Sequence, residues 1–217
     1  MECLIGICGK DFVVMASDNL AAHSIIAIKH DAQKQFELGD KMIMAVSGDA
    51  GDMSNYAEYI QKNLKLYEMV HGYKLTPNAA ANFARKVMAQ SLRSRGPYMV
   101  NLLLAGVEDD GTPSLYFMDY LASMVKEKFA AHGYGSFFIL STLDRYYKED
   151  MTKEEAVDLL KLCIREVQSR FIVNLNAFSV KIIDKEGITD VGNIPGSGTV
   201  HKDVPKEAIH PELIARA

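Results

Sequence analysis

Apolar residues fill two short runs near the start of the chain, Leu4 to Cys8 and Phe12 to Ala16, and the polar Gly9-Lys10-Asp11 between them predicts a hairpin turn. Further extended segments are expected at Ser24 to Ile28, Lys34 to Leu38 and Met42 to Ser47, the last an apolar run suited to a strand buried on both faces. After Gly48-Asp49-Ala50-Gly51-Asp52 the period changes. Met53, Tyr56, Ala57, Ile60, Leu64 and Tyr67 advance by three or four residues, which predicts a helix ending near Gly72. A second helix is expected where Thr76 can cap and Pro77 occupies the first turn, with Ala80, Phe83, Ala84, Val87, Met88 and Leu92 on one face and Gly96-Pro97 as its stop.

Extended pattern then returns. Tyr98 to Val107 and Leu115 to Met118 flank an Asp110-Gly111 turn signal, and Met124 to Ala130 precedes a loop at His132-Gly133-Tyr134-Gly135. Phe137 to Tyr146 reads as a helix, although its apolar runs also permit a strand. The next helix is better defined: Thr152-Lys153-Glu154-Glu155 is a capping box, and Ala156, Leu159, Leu160, Cys163, Ile164, Val167 and Phe171 recur at helical spacing. A last hairpin, Phe178 to Asp184 and Ile188 to Val191, turns at Lys185-Glu186-Gly187, and a polar stretch rich in Gly and Pro follows from Asn193. Strands, two helices, strands, two helices, strands: that order predicts an α+β fold with two antiparallel sheets face to face and helices outside, four layers in all.

Composition narrows the role. A chain of 217 residues, 48% hydrophobic, is long enough for one sizeable core, with no compositional seam between domains. The balance of 24 basic against 28 acidic side chains gives a net charge of -4, without the basic excess of a nucleic-acid binder. Cys3, Cys8 and Cys163 form no Cys-x-x-Cys pair and no Asn-x-Ser/Thr acceptor occurs, which fits a reducing compartment. The first residues lack the basic and apolar regions of a secretory signal, and no run reaches membrane-spanning length, so no membrane association is expected.

Several segments carry a resemblance. Val13-Val14-Met15-Ala16-Ser17-Asp18-Asn19, the glycine-rich Gly48 to Asp52 and the loop Gly133-Tyr134-Gly135 resemble, in this order, motifs of the proteasome beta family. The longer stretches from Ala57 to Asn63, Ala79 to Phe83, Pro97 to Gly106 and Ala130 to Gly135 resemble one branch of that family in particular. The resemblance covers Met1 to about Ile194. It implies the four-layer αββα sandwich of the N-terminal-nucleophile hydrolases, a domain at 1–194 and an extended or disordered tail at 195–217.

Active members of that family attack the scissile carbonyl with an N-terminal threonine whose own amine serves as base. An Asp sixteen residues on, and a Lys another sixteen beyond, orient that residue and lower its effective pKa. Asp18 and Lys34 match both positions, yet the residue sixteen before Asp18 is Glu2, which has neither hydroxyl nor thiol. Only Met1 precedes it, so no processing to a terminal Thr is expected. Tyr134 stands where the family has the serine of its G-S-G loop, and Phe171 and Asn174 stand where it has the Asp and Ser of R-D-x-x-S. The expectation is therefore no catalytic residue, with Asp18 and Lys34 kept as a partly buried structural ion pair.

Other candidates read as structure. Cys3 is one residue out of register with Glu2 and is expected as a packed thiol, like Cys8 and Cys163. The histidines show no metal-ligand spacing, and His132 is expected as a loop hydrogen-bonding residue; no metal and no cofactor are foreseen. Tyr146 and Tyr147 read as core or interface, and no serine-hydrolase elbow or phosphate loop occurs. The resemblance implies a non-catalytic subunit of the eukaryotic 20S core, serving ubiquitin-dependent degradation in cytoplasm and nucleus. Its implied partners are beta type-3 and beta type-5 neighbours in a seven-membered ring, the alpha ring and the opposite beta ring.

Overall fold

Gly9 to Asp11 does turn the chain. In the computed structural model, which describes residues 2–23 and 26–196, strands β1 (Cys3–Cys8) and β2 (Phe12–Asp18) pair antiparallel across it, Cys8 opposite Val13. A small hairpin, β3 (Ala21–His23) and β4 (Ile26–Lys29), follows. The strand expected over Ser24 to Ile28 is thus realised in its second part, and its first two residues lie outside the described residues. Next come β5 (Gln35–Gly39), β6 (Met42–Gly48), α1 (Ala50–His71) and α2 (Pro77–Ser91). Gly72 and Thr76 bound their helices as the sequence indicated, and Asp49 within the glycine-rich loop supplies the cap of α1. Asp49 accepts from the Gly51 and Asp52 N–H groups, Gly72 closes α1 in a left-handed conformation, and the Thr76 side chain accepts from Ala79 with Pro77 behind it.

The chain continues through β7 (Val100–Val107), β8 (Pro113–Met118), β9 (Met124–Glu127), β10 (Phe129–Gly133), α3 (Ser136–Tyr146), α4 (Lys153–Arg170), β11 (Ala177–Asp184) and β12 (Gly187–Pro195). Thr152 and Glu155 complete the capping box reciprocally. Three differences from the sequence pattern stand out. The segment Met124 to Ala130 is two strands in different sheets, the break falling at Lys128. His132 lies within β10, paired with Leu4, and not in a loop. The last strand runs to Pro195, and Gly196 N–H still donates to Asn176 O, so paired chain extends through the boundary expected at 194. The remainder of the expected tail, from 197, lies outside the described residues.

One sheet has the order β10-β1-β2-β11-β12 and the other β5-β6-β7-β8-β9, every pairing within them antiparallel. Side chains alternate along each strand, and both faces are used. Cys3, Ile5 and Ile7 of β1, with Phe12, Val14 and Ala16 of β2, pack beneath α3 and α4. Met42, Met44 and Val46 of β6, with Leu102 and Leu104 of β7, pack beneath α1 and α2. The intervening residues, Leu4, Val13, Met15, Ile43, Ala45, Leu103 and Ala105, meet between the sheets. Gly6 belongs there too: a Cβ on it would stand 2.8 Å from Leu115 Cδ1, so the missing side chain lets β1 and β8 approach. The result is the expected four-layer αββα sandwich, with its middle layer built from residues that read in sequence as unbroken apolar runs. Among the described residues no helix is long and apolar enough to cross a membrane.

Removing volume from the middle layer is predicted to cost more than removing a cap. Leu103→Ala should lower unfolding free energy by about 2–5 kcal/mol, and Thr152→Ala by about 1 kcal/mol, as denaturant titration of the full chain would measure.

Candidate functional site

Asp18, the last residue of β2, has no exposed surface. An ionised carboxylate in that position needs donors on every side. It has them: Oδ1 accepts from Cys3 N–H (2.8 Å), and Oδ2 accepts from Leu20 N–H (3.1 Å) and from Lys34 Nζ (2.7 Å). Lys34, just before β5 and only 2% exposed, also donates to Leu20 O (2.8 Å). The pair expected to be partly buried is therefore wholly enclosed. It ties β1, β2 and the approach to β5 at one end of the sandwich.

Glu2 completes the cluster. Its Oε1 lies 3.6 Å from Lys34 Nζ, while Oε2 accepts from Gly48 N–H at 2.6 Å. Two carboxylates thus face one ammonium. Burial pushes the Glu2 pKa above the ordinary carboxylate range; Lys34 and the Gly48 N–H pull it back in part, and Asp18 raises it further. Gly48 presents that N–H from a backbone with φ +140°, where a Cβ would fall 2.1 Å from Met99 O, so no side chain fits at this position.

The loop before α3 closes over the start of β1 in the same way. A Cβ on Gly133 would sit 2.1 Å from Glu2 O, and one on Gly135 2.3 Å from Cys3 Sγ. Between them Tyr134 points outward and stacks on Phe171 at 6.4 Å between ring centroids, and Phe138 packs tilted against Phe171 at 6.2 Å. Asn174 is exposed on the following loop. Tyr134 and Phe171 are brought together, then, but as an aromatic stack and not as polar groups turned toward Asp18.

The thiols are packed. Cys3 is fully buried under α3 and α4, and burial raises its pKa well above the ordinary thiol value, with the Asp18 charge adding to the effect. Burial likewise pushes Cys8 and Cys163 up to about 12. Tyr147 is half-buried against the same core and its hydroxyl donates to Cys8 O (3.1 Å).

The spacing of Asp18 and Lys34 was visible in sequence; the Glu2 and Gly48 contact was not. Glu2 drew notice only for the hydroxyl it lacks. Its partner is forty-six residues away and meets it through the stacking of two sheets, for which no local signal exists.

With this geometry in view, the comparisons define the class: the chain belongs to the proteasome subunit family, whose model matches residues 2–183. Within that family it is similar to beta type-2 subunits. It is 45% identical over 190 residues to proteasome subunit beta type-2-A of Arabidopsis thaliana, covering 88% of this chain and 93% of that protein. It is 43% identical over 208 residues to proteasome subunit beta type-2 of Oryza sativa subsp. japonica, covering 96% and 95%. It is 45% identical over 192 residues to a probable proteasome subunit beta type-4 of Schizosaccharomyces pombe, covering 88% and 99%.

His132 supplies a pH prediction. The ring stacks on Phe117 at 4.0 Å, its Nε2 has no hydrogen-bond partner among the described residues, and burial lowers its pKa from 6.5 to about 4, with the Leu102 and Met118 carbonyls opposing. The unfolded chain takes up a proton near pH 6.5 and the folded chain only near pH 4, so stability is lost as pH falls through this window. The loss from this residue approaches about 3 kcal/mol. His132→Gln should flatten the stability curve of the full chain between these values by that amount.

Proposed function

We propose that this chain is a non-catalytic wall subunit of the 20S proteasome core. It contributes shape and contact surface to the degradation of ubiquitin-tagged proteins, and cuts no peptide itself. The observation that carries this reading is the occupant of the nucleophile position. Counting back from Asp18 by the family's spacing reaches Glu2, and its carboxylate lies against the Lys34 ammonium and the Gly48 N–H. A carboxylate already bound to both groups offers no hydroxyl for attack, and the adjacent Cys3 thiol is buried and held protonated.

The Asp18–Lys34 pair then serves architecture. A buried ion pair adds little net stability over an apolar substitute, but removal of one partner strands the other charge at a cost of about 3–5 kcal/mol. In this reading the subunit occupies a seven-membered beta ring between beta type-3 and beta type-5 neighbours, below an alpha ring and against the opposite beta ring, in cytoplasm and nucleus. The relatives at 43–45% identity are themselves named as proteasome beta subunits, which supports the assignment. The exposed apolar side chains Leu66, Met69, Val70 and Tyr73 on and just after α1, and Phe137 and Leu140 on α3, give such contacts material to bury.

The test separates architecture from chemistry. Lys34→Met, expressed in place of the natural chain, should reduce incorporation into particles severalfold, read by native mass spectrometry. Particles that do assemble should keep every peptidase activity, per particle, within about twofold, which corresponds to a change of about 0.4 kcal/mol in any barrier. Selective disappearance of one peptidase activity from fully assembled particles would refute the reading.

A further inference from the structure

A backbone N–H and a buried ammonium that converge on one carboxylate constitute an anion site, whichever carboxylate fills it. Here the filling is internal. Gly48 N–H donates to Glu2 Oε2 at 2.6 Å, and Lys34 Nζ lies 3.6 Å from Oε1. Neither donor group depends on Glu2 for its position. The Gly48 backbone is fixed by the pairing of β6 with β7, where Gly48 stands opposite Val100, and by the lack of space for a Cβ beside Met99 O. Lys34 is held by Asp18 Oδ2 and Leu20 O. The Gly48 N–H also lies outside the cap of α1, because Asp49 serves that helix with its own side chain on Gly51 and Asp52.

We propose that Gly48 and Lys34 form a carboxylate-binding site which this chain closes with its own Glu2 side chain, and that the site accepts a free carboxylate once that side chain is cut back. The atoms removed by Glu2→Ala are Cγ and the carboxylate, which together are those of an acetate ion. Acetate can therefore replace the lost group on the same two donors, shifted outward by the step from a bonded to a van der Waals contact with the remaining Cβ. In the natural chain the site is shut to other small carboxylates, the charged ends of cleaved peptides among them. Binding will be weak, in the millimolar range, because Lys34 is already shared with Asp18 and that second negative charge opposes any anion. This inference stands on contacts within one chain and is independent of the role proposed for it in the particle.

The experiment is chemical rescue. Thermal unfolding of the full chain is followed for the natural protein, Glu2→Ala and Glu2→Gln while sodium acetate replaces sodium chloride at fixed total sodium. For Glu2→Ala the folded-to-unfolded ratio should rise saturably, about tenfold when acetate is tenfold above its dissociation constant. The natural chain and Glu2→Gln, in which the site remains filled, should not respond. No response from Glu2→Ala, or an equal response from all three, overturns the proposal. Should the Glu2→Ala chain prove unstable alone, particles carrying it are examined at saturating acetate: an acetate within hydrogen-bond distance of Gly48 N supports the site, and a vacant position there rejects it.

Discussion

A carboxylate with no exposed surface survives in a fold only if its charge is matched where it lies, and Asp18 imposes that condition on everything around it. Its oxygens hold the Cys3 and Leu20 N–H groups and the Lys34 ammonium. Those contacts set the start of β1, the exit from β2 and the path into β5. Lys34 can reach Asp18 only if the segment ahead of β5 crosses the end of the first sheet, so the ion pair also fixes how one sheet lies over the other at this end. Glycine at 48, 133 and 135 is the corresponding steric requirement, since each of these backbones passes too close to a neighbour for a side chain.

In the non-catalytic reading proposed above, the position of the family's nucleophile is held by Glu2, whose carboxylate joins the same cluster. The electrostatics follow from the count of charges. One ammonium faces two carboxylates, and burial, with the Asp18 charge adding to it, raises the Glu2 pKa against the pull of Lys34. The Glu2 carboxylate accepts from the Gly48 N–H and so closes this cluster from inside. Tyr134 and Phe171, at the positions where the sequence resemblance implied a serine and an aspartate, stack on each other, and Phe138 packs tilted against Phe171.

Much of this was legible in the residues themselves. Thr76-Pro77, Thr152 with Glu155, and Gly72 announced the helix ends because caps are local chemistry. The sixteen-residue intervals reached Asp18 and Lys34. What escaped the sequence was long-range or unpatterned. Met124 to Ala130 shows no turn residue, so the transfer from one sheet to the other at Lys128 left no trace in composition. The outer half of β12 was lost among polar residues, because an edge strand with an exposed face carries no apolar alternation, and its register shifts beside Val180. His132 looked like part of a glycine loop, yet its place opposite Leu4 turns it inward onto Phe117.

The non-catalytic role proposed for this chain requires that none of its groups attacks a peptide carbonyl. The most direct measurement treats the intact particle with an electrophile that labels N-terminal threonine nucleophiles and then determines the mass of every subunit. The account predicts that the catalytic subunits gain the mass of the label while this chain keeps its own. A stoichiometric adduct on the first residue of this chain would contradict it.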